Sequence, residues 1–150
     1  MSPIRRIYPL EYPFLLRQVT KPPPFLDVIG TIPSDDLKYL CVIGSRMYSS
    51  YGEDVCKKII RGLRGYPIVI VSGLAVGIDS IAHETALEVG LRTIAFPGSG
   101  LDLRVIYPNS KRGLAQRIVT AGGALMSPFN PRTRCAQYTF PVRNHLMAGM

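Results

Sequence analysis

The sequence predicts an α/β fold with an open, mainly parallel sheet and flanking helices, and two observations support this prediction. Four short apolar runs begin at residues 39, 68, 93 and 124, and none of them alternates apolar with polar residues. Such runs are typical of strands buried on both faces of a parallel sheet. Amphipathic helical patterns fill the intervals between them, as they do in βαβ units of roughly 30 residues. The predicted architecture is therefore Rossmann-like.

The first 38 residues are expected to form an irregular, proline-rich approach segment. Tyr12-Pro13 and the three prolines at 22–24 forbid a continuous helix, because proline lacks an amide donor and restricts the residue before it. Only a short helix over residues 14–19 is compatible with this pattern. We therefore divide the chain into an N-terminal segment, residues 1–38, and a Rossmann-like domain, residues 39–150.

The remaining elements follow one another along the chain with recognisable boundaries. Asp79 occupies the position of an N-cap and Gly90 that of a C-terminal stop, so a helix is predicted between them. The last helix begins near Val142 and reaches the end of the chain. In order, the predicted elements are strand 39–43, helix 52–64, strand 68–71, helix 79–89, strand 93–96, helix 111–120, strand 124–126 and the final helix.

Composition excludes several classes of protein. Apolar residues make up 47% of the 150 residues and charged residues 19%, which excludes a disordered polybasic tail. No apolar run approaches the roughly 18 residues of a membrane span, and no signal sequence is visible. We expect a cytoplasmic protein with no membrane partner. Its cysteines are odd in number and form no CxxC pair, so they are expected to be free thiols: Cys41, Cys56 and Cys135.

The net charge of +8 is concentrated in the predicted domain. Residues 1–38 hold five basic and four acidic side chains, whereas residues 39–150 hold thirteen and six. No acidic residue follows Asp102. Such a bias favours binding to a polyanion, either nucleic acid or a nucleotide phosphate, although a solvated basic surface that keeps the protein soluble is an equally good interpretation.

Glycines and small residues follow most of the predicted strands. Ligands of open α/β sheets bind beyond the carboxyl ends of the strands, where exposed backbone amides can approach an anion. Arg46 adds a guanidinium that can hold a phosphate with two hydrogen bonds. The candidate DNA- or phosphate-binding residues are Gly44, Ser45, Arg46, Ser72, Gly73, Leu74, Ala75, Gly77, Asp79, Gly98, Gly100, Leu101, Asp102, Phe140, Arg143 and Asn144.

Several of these residues have a purely structural alternative. A glycine after a strand is often only a turn residue, and Ser45 is also suited to cap the next helix. Asp79 suits a helix cap better than a catalytic acid, and Asp102 suits an Asx turn. Phe140 is compatible with a core position, but the neighbouring Arg143 is typical of a base-stacking site.

The sequence does not indicate a P-loop, a dinucleotide site, a metal site or a catalytic triad. The chain has no GxxxxGK[ST] loop, and the segment after Gly98 and Gly100 fails the dinucleotide fingerprint at its third glycine. No metal-ligand spacing is present, and two histidines, His83 and His145, offer little for a catalytic triad. We therefore expect a binding protein rather than an enzyme, with no cofactor and no metal.

These motifs, taken in order, resemble the DNA-processing DprA/Smf family over residues 39–150, and the approach segment is similar as well. The resemblance is carried by Gly44-Ser45-Arg46, Ser72-Gly73-Leu74-Ala75, Gly77-Ile78-Asp79, Ala82-His83, Thr93-Ile94-Ala95, Gly98, Gly100-Leu101-Asp102, Tyr107-Pro108, Phe140-Pro141, Arg143-Asn144 and Ala148-Gly149.

The resemblance implies an extended Rossmann fold that binds single-stranded DNA, forms a homodimer and loads a RecA-type recombinase during natural transformation. By position, Ser45 and Arg46 look like phosphate contacts, and Phe140, Arg143 and Asn144 look like part of the strand-binding rim. The sequence departs from the family at Ser127-Pro128, at Val76 and at His145. It also ends inside the last helix, whereas family members continue with further strands and helices.

Two alternative functions remain open. One is a nucleotide-phosphate enzyme similar to the lysine-decarboxylase-like phosphoribohydrolases, with Asp79 or Glu84 as the acid. The sequence Pro97-Gly98-Ser99-Gly100-Leu101 breaks the glycine-rich pattern of those enzymes and lacks their glutamate. The other alternative is a non-functional, truncated remnant.

Overall fold

The computed structural model describes residues 1–150 and places six strands in one mixed sheet with the order β1-β2-β6-β5-β4-β3. The strands are β1 (Arg5–Ile7), β2 (Leu26–Gly30), β3 (Lys38–Cys41), β4 (Ile68–Ser72), β5 (Thr93–Ala95) and β6 (Ala124–Ser127). The α-helices are α1 (Phe14–Arg17), α2 (Ser50–Arg61), α3 (Ile78–Glu88), α4 (Arg112–Thr120) and α5 (Thr139–Gly149). Short 3-10 turns cover Pro9–Glu11 and Asn109–Lys111.

The predicted α/β architecture is confirmed. Strands β3 to β6 pair in parallel, in the order in which the chain makes them, and a helix joins each to the next. Every residue of β5 and β6 is buried, and so are four of the five in β4, as the continuous apolar runs predict. The last helix begins at Thr139, three residues before the predicted start.

The expectation of an irregular N-terminal segment is wrong, because this segment adds two strands to the sheet. Strand β2 pairs antiparallel with β6, and β1 pairs antiparallel with β2. The prolines at 22–24 lie in the connection between α1 and β2 and interrupt neither strand. The domain boundary at residue 38 stays a prediction.

Strand β3 also differs from the expectation of burial on both faces. It is one of the two edge strands of the sheet, and Lys38, Leu40 and Cys41 are exposed. The sequence of an edge strand resembles that of a central strand here because Tyr39 and Leu40 are apolar. Cys41 therefore lies at an exposed edge and not within a buried strand.

Helices cover both faces of the sheet. Ile70 packs in a cluster with α2 and α3, and Ala95 and Leu125 pack in a cluster with α4. Val71 in β4, Ile94 in β5 and Phe96 just after β5 pack against α1 and α5 on the opposite face. No helix has the length and apolar character that crossing a membrane requires.

Helix α5 is the element that returns across this opposite face. It starts at the carboxyl ends of β4 and β5, where Arg143 reaches Gly73 and Phe96. It ends at Gly149, and the next residue, Met150, lines a small cavity together with Lys38 and Tyr39 at the amino end of β3. The first turn of α5 therefore lies beside the loops that follow the parallel strands. Ligands of such sheets bind at this edge.

Candidate functional site

Side chains from three segments of the chain meet around Phe140, in the first turn of α5. The Arg46 guanidinium carbon lies 5.3 Å from the centre of the Phe140 ring, and the Arg143 guanidinium carbon lies 5.5 Å from it. The Tyr107 ring meets the same ring edge-on, with the two centres 5.9 Å apart. The loop after β3, the loop after β5 and α5 thus meet at one aromatic side chain. We call Arg46, Tyr107, Phe140 and Asn144 the aromatic–arginine cluster.

The Phe140 ring packs directly against the backbone of Gly98. A Cβ atom at this position would lie 2.5 Å from Phe140 Cε1 and 2.7 Å from Phe140 Cδ1, closer than real side chains approach. The absence of a side chain therefore lets the ring lie directly on the backbone after β5. The glycine serves intramolecular packing here.

Gly77 supports the loop that carries Arg46 in the same way. Its φ is +88°, a conformation that favours glycine, and a Cβ atom would lie 2.7 Å from Arg46 Cα. The Ile78 amide donates to the Ser45 carbonyl over 3.1 Å. The start of α3 therefore holds the backbone beneath Arg46, while the Arg46 side chain is exposed and forms no salt bridge.

Ser45 shapes its own loop instead of capping α2. Its hydroxyl donates to the Met47 carbonyl over 2.8 Å and accepts from the Met47 amide over 3.0 Å. The cap of α2 is Ser49, whose hydroxyl accepts from the Gly52 amide over 3.1 Å. Gly44 lies against Ile78 and is exposed on its other side.

Asp79 is a buried carboxylate in the first turn of α3, and the expectation that it is the N-cap is wrong. The cap position belongs to Gly77, and Asp79 Oδ2 accepts from the Gly73 amide over 3.1 Å. Burial raises its pKa, and the positive charge of Arg143 and the amides of Gly44, Gly73 and Ala75 oppose that rise. Asp79 therefore holds the loop after β4 together from within.

Arg143 is buried too, with 5% of the residue exposed. Its Nη1 donates to the carbonyls of Gly73 and Phe96, each over 2.7 Å, and its Nε donates to Asn144 Oδ1 over 2.9 Å. Burial lowers its pKa, which the negative charge of Asp79 partly opposes. The guanidinium therefore joins α5 to the ends of β4 and β5, and Asn144 stays exposed beside it.

Several predicted site residues face the interior. Ser72 donates to the Val42 carbonyl over 2.6 Å and ties β4 to β3. Leu74 and Leu101 are buried in the apolar cluster that packs on α4, and Ala75 is half-buried and accepts the Ser80 hydroxyl on its carbonyl. The structure does not bring these side chains to the aromatic–arginine cluster.

Gly100 and Asp102 pack against the segment 130–133. The Gly100 amide donates to the Thr133 carbonyl and the Asp102 amide to the Pro131 carbonyl. The Asp102 carboxylate accepts from the Arg104 amide and side chain in an Asx turn, and Arg132 lies 3.7 Å from it. The Arg104 guanidinium lowers the pKa of Asp102, so this carboxylate stays charged and paired.

Two residues of the site were not predicted. Tyr107 is 37% exposed and pairs with Phe140; Tyr107-Pro108 is among the motifs that carry the family resemblance, but Tyr107 is not among the predicted site residues. Thr139 is fully buried, and its hydroxyl lies 2.8 Å from the carbonyls of Gly98 and Ala136. The threonine just before Phe140 could have indicated a contact between α5 and the sheet, because a threonine that becomes buried needs a hydrogen-bond partner.

The fold and this site define a class of protein: a Rossmann-like α/β protein with an arginine and aromatic rings at the carboxyl edge of its parallel strands. Comparison with known proteins is more specific. Residues 5–150 match the family described as DNA recombination-mediator protein A, and the chain belongs to this family.

Curated relatives carry the names DprA and Smf. The chain is 37% identical over 139 residues to DNA processing protein DprA of Streptococcus pneumoniae and 36% identical over 144 residues to Protein Smf of Synechocystis. Both alignments cover 93% of this chain, but 48% of the first relative and 35% of the second. The chain thus spans between a third and a half of these relatives.

Solved structures agree with this membership. The X-ray structure of DprA from S. pneumoniae superposes with a TM-score of 0.83 at 34% identity, covering 97% of this chain and 51% of that one. A structure of DNA processing protein A from Helicobacter pylori superposes with a TM-score of 0.81 at 27% identity, covering 99% and 66%. That second protein is described as having a unique mode of binding single-stranded DNA.

Proposed function

We propose that this chain binds single-stranded DNA at the aromatic–arginine cluster. The observation that carries the proposal is the contact between Arg46 and Phe140, an exposed guanidinium 5.3 Å from the centre of a partly exposed ring. A guanidinium holds a backbone phosphate and an aromatic ring stacks on a base, so the pair can bind one nucleotide at both of its ends. The single-stranded DNA binding of the H. pylori relative supports the same assignment.

The charge around the cluster supports a polyanionic ligand. The buried Asp79 is held by loop amides, and Asp102 is paired with Arg104, so neither carboxylate is presented freely at the surface. Arg46 and Asn144 are exposed at this edge and can donate to phosphate oxygens, whereas the Ser45 hydroxyl, also exposed, donates to Met47. Contacts of this kind hold a strand without selecting its sequence.

Single strands are favoured over duplexes because the bases must be accessible to the rings. The rings of Tyr107 and Phe140 lie edge to face, and a base stacked inside a duplex presents neither of its faces to them. The phosphate contacts alone are compatible with both forms of DNA, so the aromatic residues supply the discrimination.

Replacement of Phe140 by alanine tests this proposal. Loss of a stacked base costs about 1–3 kcal/mol, so we expect the affinity for an oligothymidylate to fall by roughly tenfold or more. The matched control is Phe14→Ala, because Phe14 is exposed and also lies near an arginine, but on α1. Fluorescence anisotropy with labelled oligonucleotides measures both. Equal affinities of the two variants, or equal affinity of the wild type for single strands and duplexes, would contradict the proposal.

From the family resemblance we further propose a role in recombination during natural transformation: the chain protects incoming DNA, assists the loading of a RecA-type recombinase and forms a homodimer. The family description as a recombination mediator supports this role. Sedimentation of the chain alone and with a recombinase measures both associations; a monomer that binds no recombinase would contradict them.

The nucleotide-hydrolysing alternative is not favoured. Asp79 is buried and bound to loop amides, and Glu84 lies near Lys111 on the exposed side of α3. Neither carboxylate belongs to the aromatic–arginine cluster.

A further inference from the structure

Helix α5 has two pairs of residues at a spacing of four, and they have opposite environments. Thr139 and Arg143 are buried, whereas Asn144 is exposed and Phe140 is partly exposed. Residues four apart lie on the same side of a helix, so one side of the first turns faces the sheet and the adjacent side faces the ligand edge. We call Thr139 and Arg143 the anchoring pair.

The anchoring pair satisfies three carbonyls at the ends of the strands. Thr139 Oγ1 lies 2.8 Å from the carbonyl oxygens of both Gly98 and Ala136. We assign its one proton to Gly98, because the Ala136 carbonyl already accepts from the Thr139 amide. Arg143 Nη1 donates to Gly73 and Phe96. No other protein group donates to any of these three carbonyls. Buried carbonyls need a hydrogen-bond donor, and α5 supplies the donors for these three. These bonds therefore fix α5 against the loops after β4 and β5.

The carbonyls that accept these bonds also lie in or near the backbone segment against which the Phe140 ring packs. Gly98 carries the ring, and Phe96 lies two residues before it. The hydroxyl of Thr139 therefore binds the same residue on which the neighbouring Phe140 side chain rests. A movement of α5 away from these carbonyls would move the Phe140 ring away from Gly98 and from Arg46.

We infer that Thr139 and Arg143 are positioning residues, which fix α5 so that Phe140 and Asn144 stand at the ligand edge, and that neither side chain binds a DNA phosphate. This inference rests on the proposed function and gives Arg143 a different role from the one that the family resemblance implies. Arg46, exposed and free of salt bridges, is the phosphate contact, whereas Nη1 and Nε of Arg143 donate to acceptors of the chain itself and only its Nη2 has no protein partner.

The salt dependence of binding separates the two roles. Each phosphate contact to a single strand contributes about 0.7 to the slope of log K against log salt concentration. A positioning residue changes the affinity without changing that slope. The test uses the whole chain and a labelled oligothymidylate of about 20 nucleotides, titrated between roughly 50 and 200 mM salt.

The variants are Arg143→Gln, which removes the charge, Arg143→Lys, which keeps it, and Thr139→Val, which removes only the hydroxyl. We expect all three to weaken binding by roughly tenfold with the slope of the wild type. Arg64→Ala and Thr120→Val are the matched controls, because Arg64 is exposed in the turn after α2 and Thr120 is exposed at the end of α4, both away from the ligand edge. Both variants are expected to bind as the wild type does.

Two results would overturn the inference: a slope reduced by about 0.7 in Arg143→Gln but not in Arg143→Lys, or unchanged affinity in Thr139→Val. If Arg143→Gln fails to fold, as judged by its thermal transition, Thr139→Val and Arg143→Lys still decide. A failure of the proposed function is distinct, because the wild type itself would then not bind the oligonucleotide.

Discussion

His83 lies on α3 with its imidazole wholly buried, 2.7 Å from Thr93 Oγ1 through Nδ1. The Thr93 hydroxyl donates to the Ile70 carbonyl over 2.8 Å, so Nδ1 is the donor in the first bond. Nε2 is left buried without a partner. Burial lowers the pKa of His83 to about 3, so this side chain stays neutral in the folded protein.

We predict that His83 makes the protein less stable in mild acid. An unfolded histidine titrates near pH 6.5, so below this pH the unfolded state binds a proton that the folded state does not bind. Stability is therefore complete above pH 6.5 and falls as the pH is lowered toward 3. The loss attributable to His83 is about 2 kcal/mol between pH 7 and pH 5.

Urea unfolding at both pH values checks this prediction by comparing the wild type with His83→Gln. His145→Gln is the control, because His145 is exposed. Burial raises the pKa of Asp79 and acts with the opposite sign, but it acts in all three proteins and cancels in the comparison. An equal pH dependence in the wild type and in His83→Gln would show that His83 is not responsible.

The glycines at the strand ends show how far residue-level prediction reaches. Their sequence positions correctly indicate that something approaches the backbone closely. At Gly98 the neighbour is the Phe140 ring, and at Gly73 it is Arg143 together with Asp79. A sequence does not distinguish a ligand from the chain's own side chain at such a place, because both require the same missing Cβ atom.

At the scale of elements, the parallel strands were predictable and the two N-terminal strands were not. Strands β4 to β6 are short apolar runs of the kind that a buried parallel sheet needs. Strand β2 contains the charged Asp27, and β1 contains Arg5 and Arg6, so neither has the pattern of a buried strand. The position of β2 depends on pairing with β6, which is distant in sequence, and β1 in turn pairs with β2.

Asp27 and Arg6 make this pairing chemically possible. Asp27 is 1% exposed, and both of its oxygens accept from Arg6, over 2.7 and 3.1 Å. The Arg6 guanidinium carbon also lies 3.7 Å from the centre of the Phe25 ring. A buried carboxylate is tolerated in β2 because β1 supplies its partner.

We predict that Asp27→Asn lowers the free energy of unfolding by about 1.5–3 kcal/mol, the usual range for a hydrogen bond to a charged group. Arg6 is one-third exposed and retains water, which keeps the expected loss in this range. Chemical denaturation measures the effect, with the exposed Asp36→Asn as the control. An unchanged midpoint in Asp27→Asn would show that the N-terminal strands unfold separately from the rest of the sheet.

Over the whole molecule, the excess of basic residues and the sheet topology both indicate a binding site at the carboxyl edge of the parallel strands. Residues 39–150 carry thirteen basic and six acidic side chains, a bias that by itself indicated only a polyanion or good solubility. The parallel sheet brings the loop of Arg46 to the first turn of α5, and this contact is what distinguishes a binding face from a merely basic surface. The sequence contains both residues, but their meeting across 94 positions follows only from the fold.

The central claim is that Arg46 binds a DNA phosphate beside a stacked base. Its most direct test is the salt titration of oligothymidylate binding by the wild type and by Arg46→Ala, with the exposed Arg64→Ala as the control. We predict a lower affinity for Arg46→Ala at every salt concentration and a slope of log K against log salt reduced by about 0.7. Binding by Arg46→Ala with the affinity and the slope of the wild type would contradict the claim.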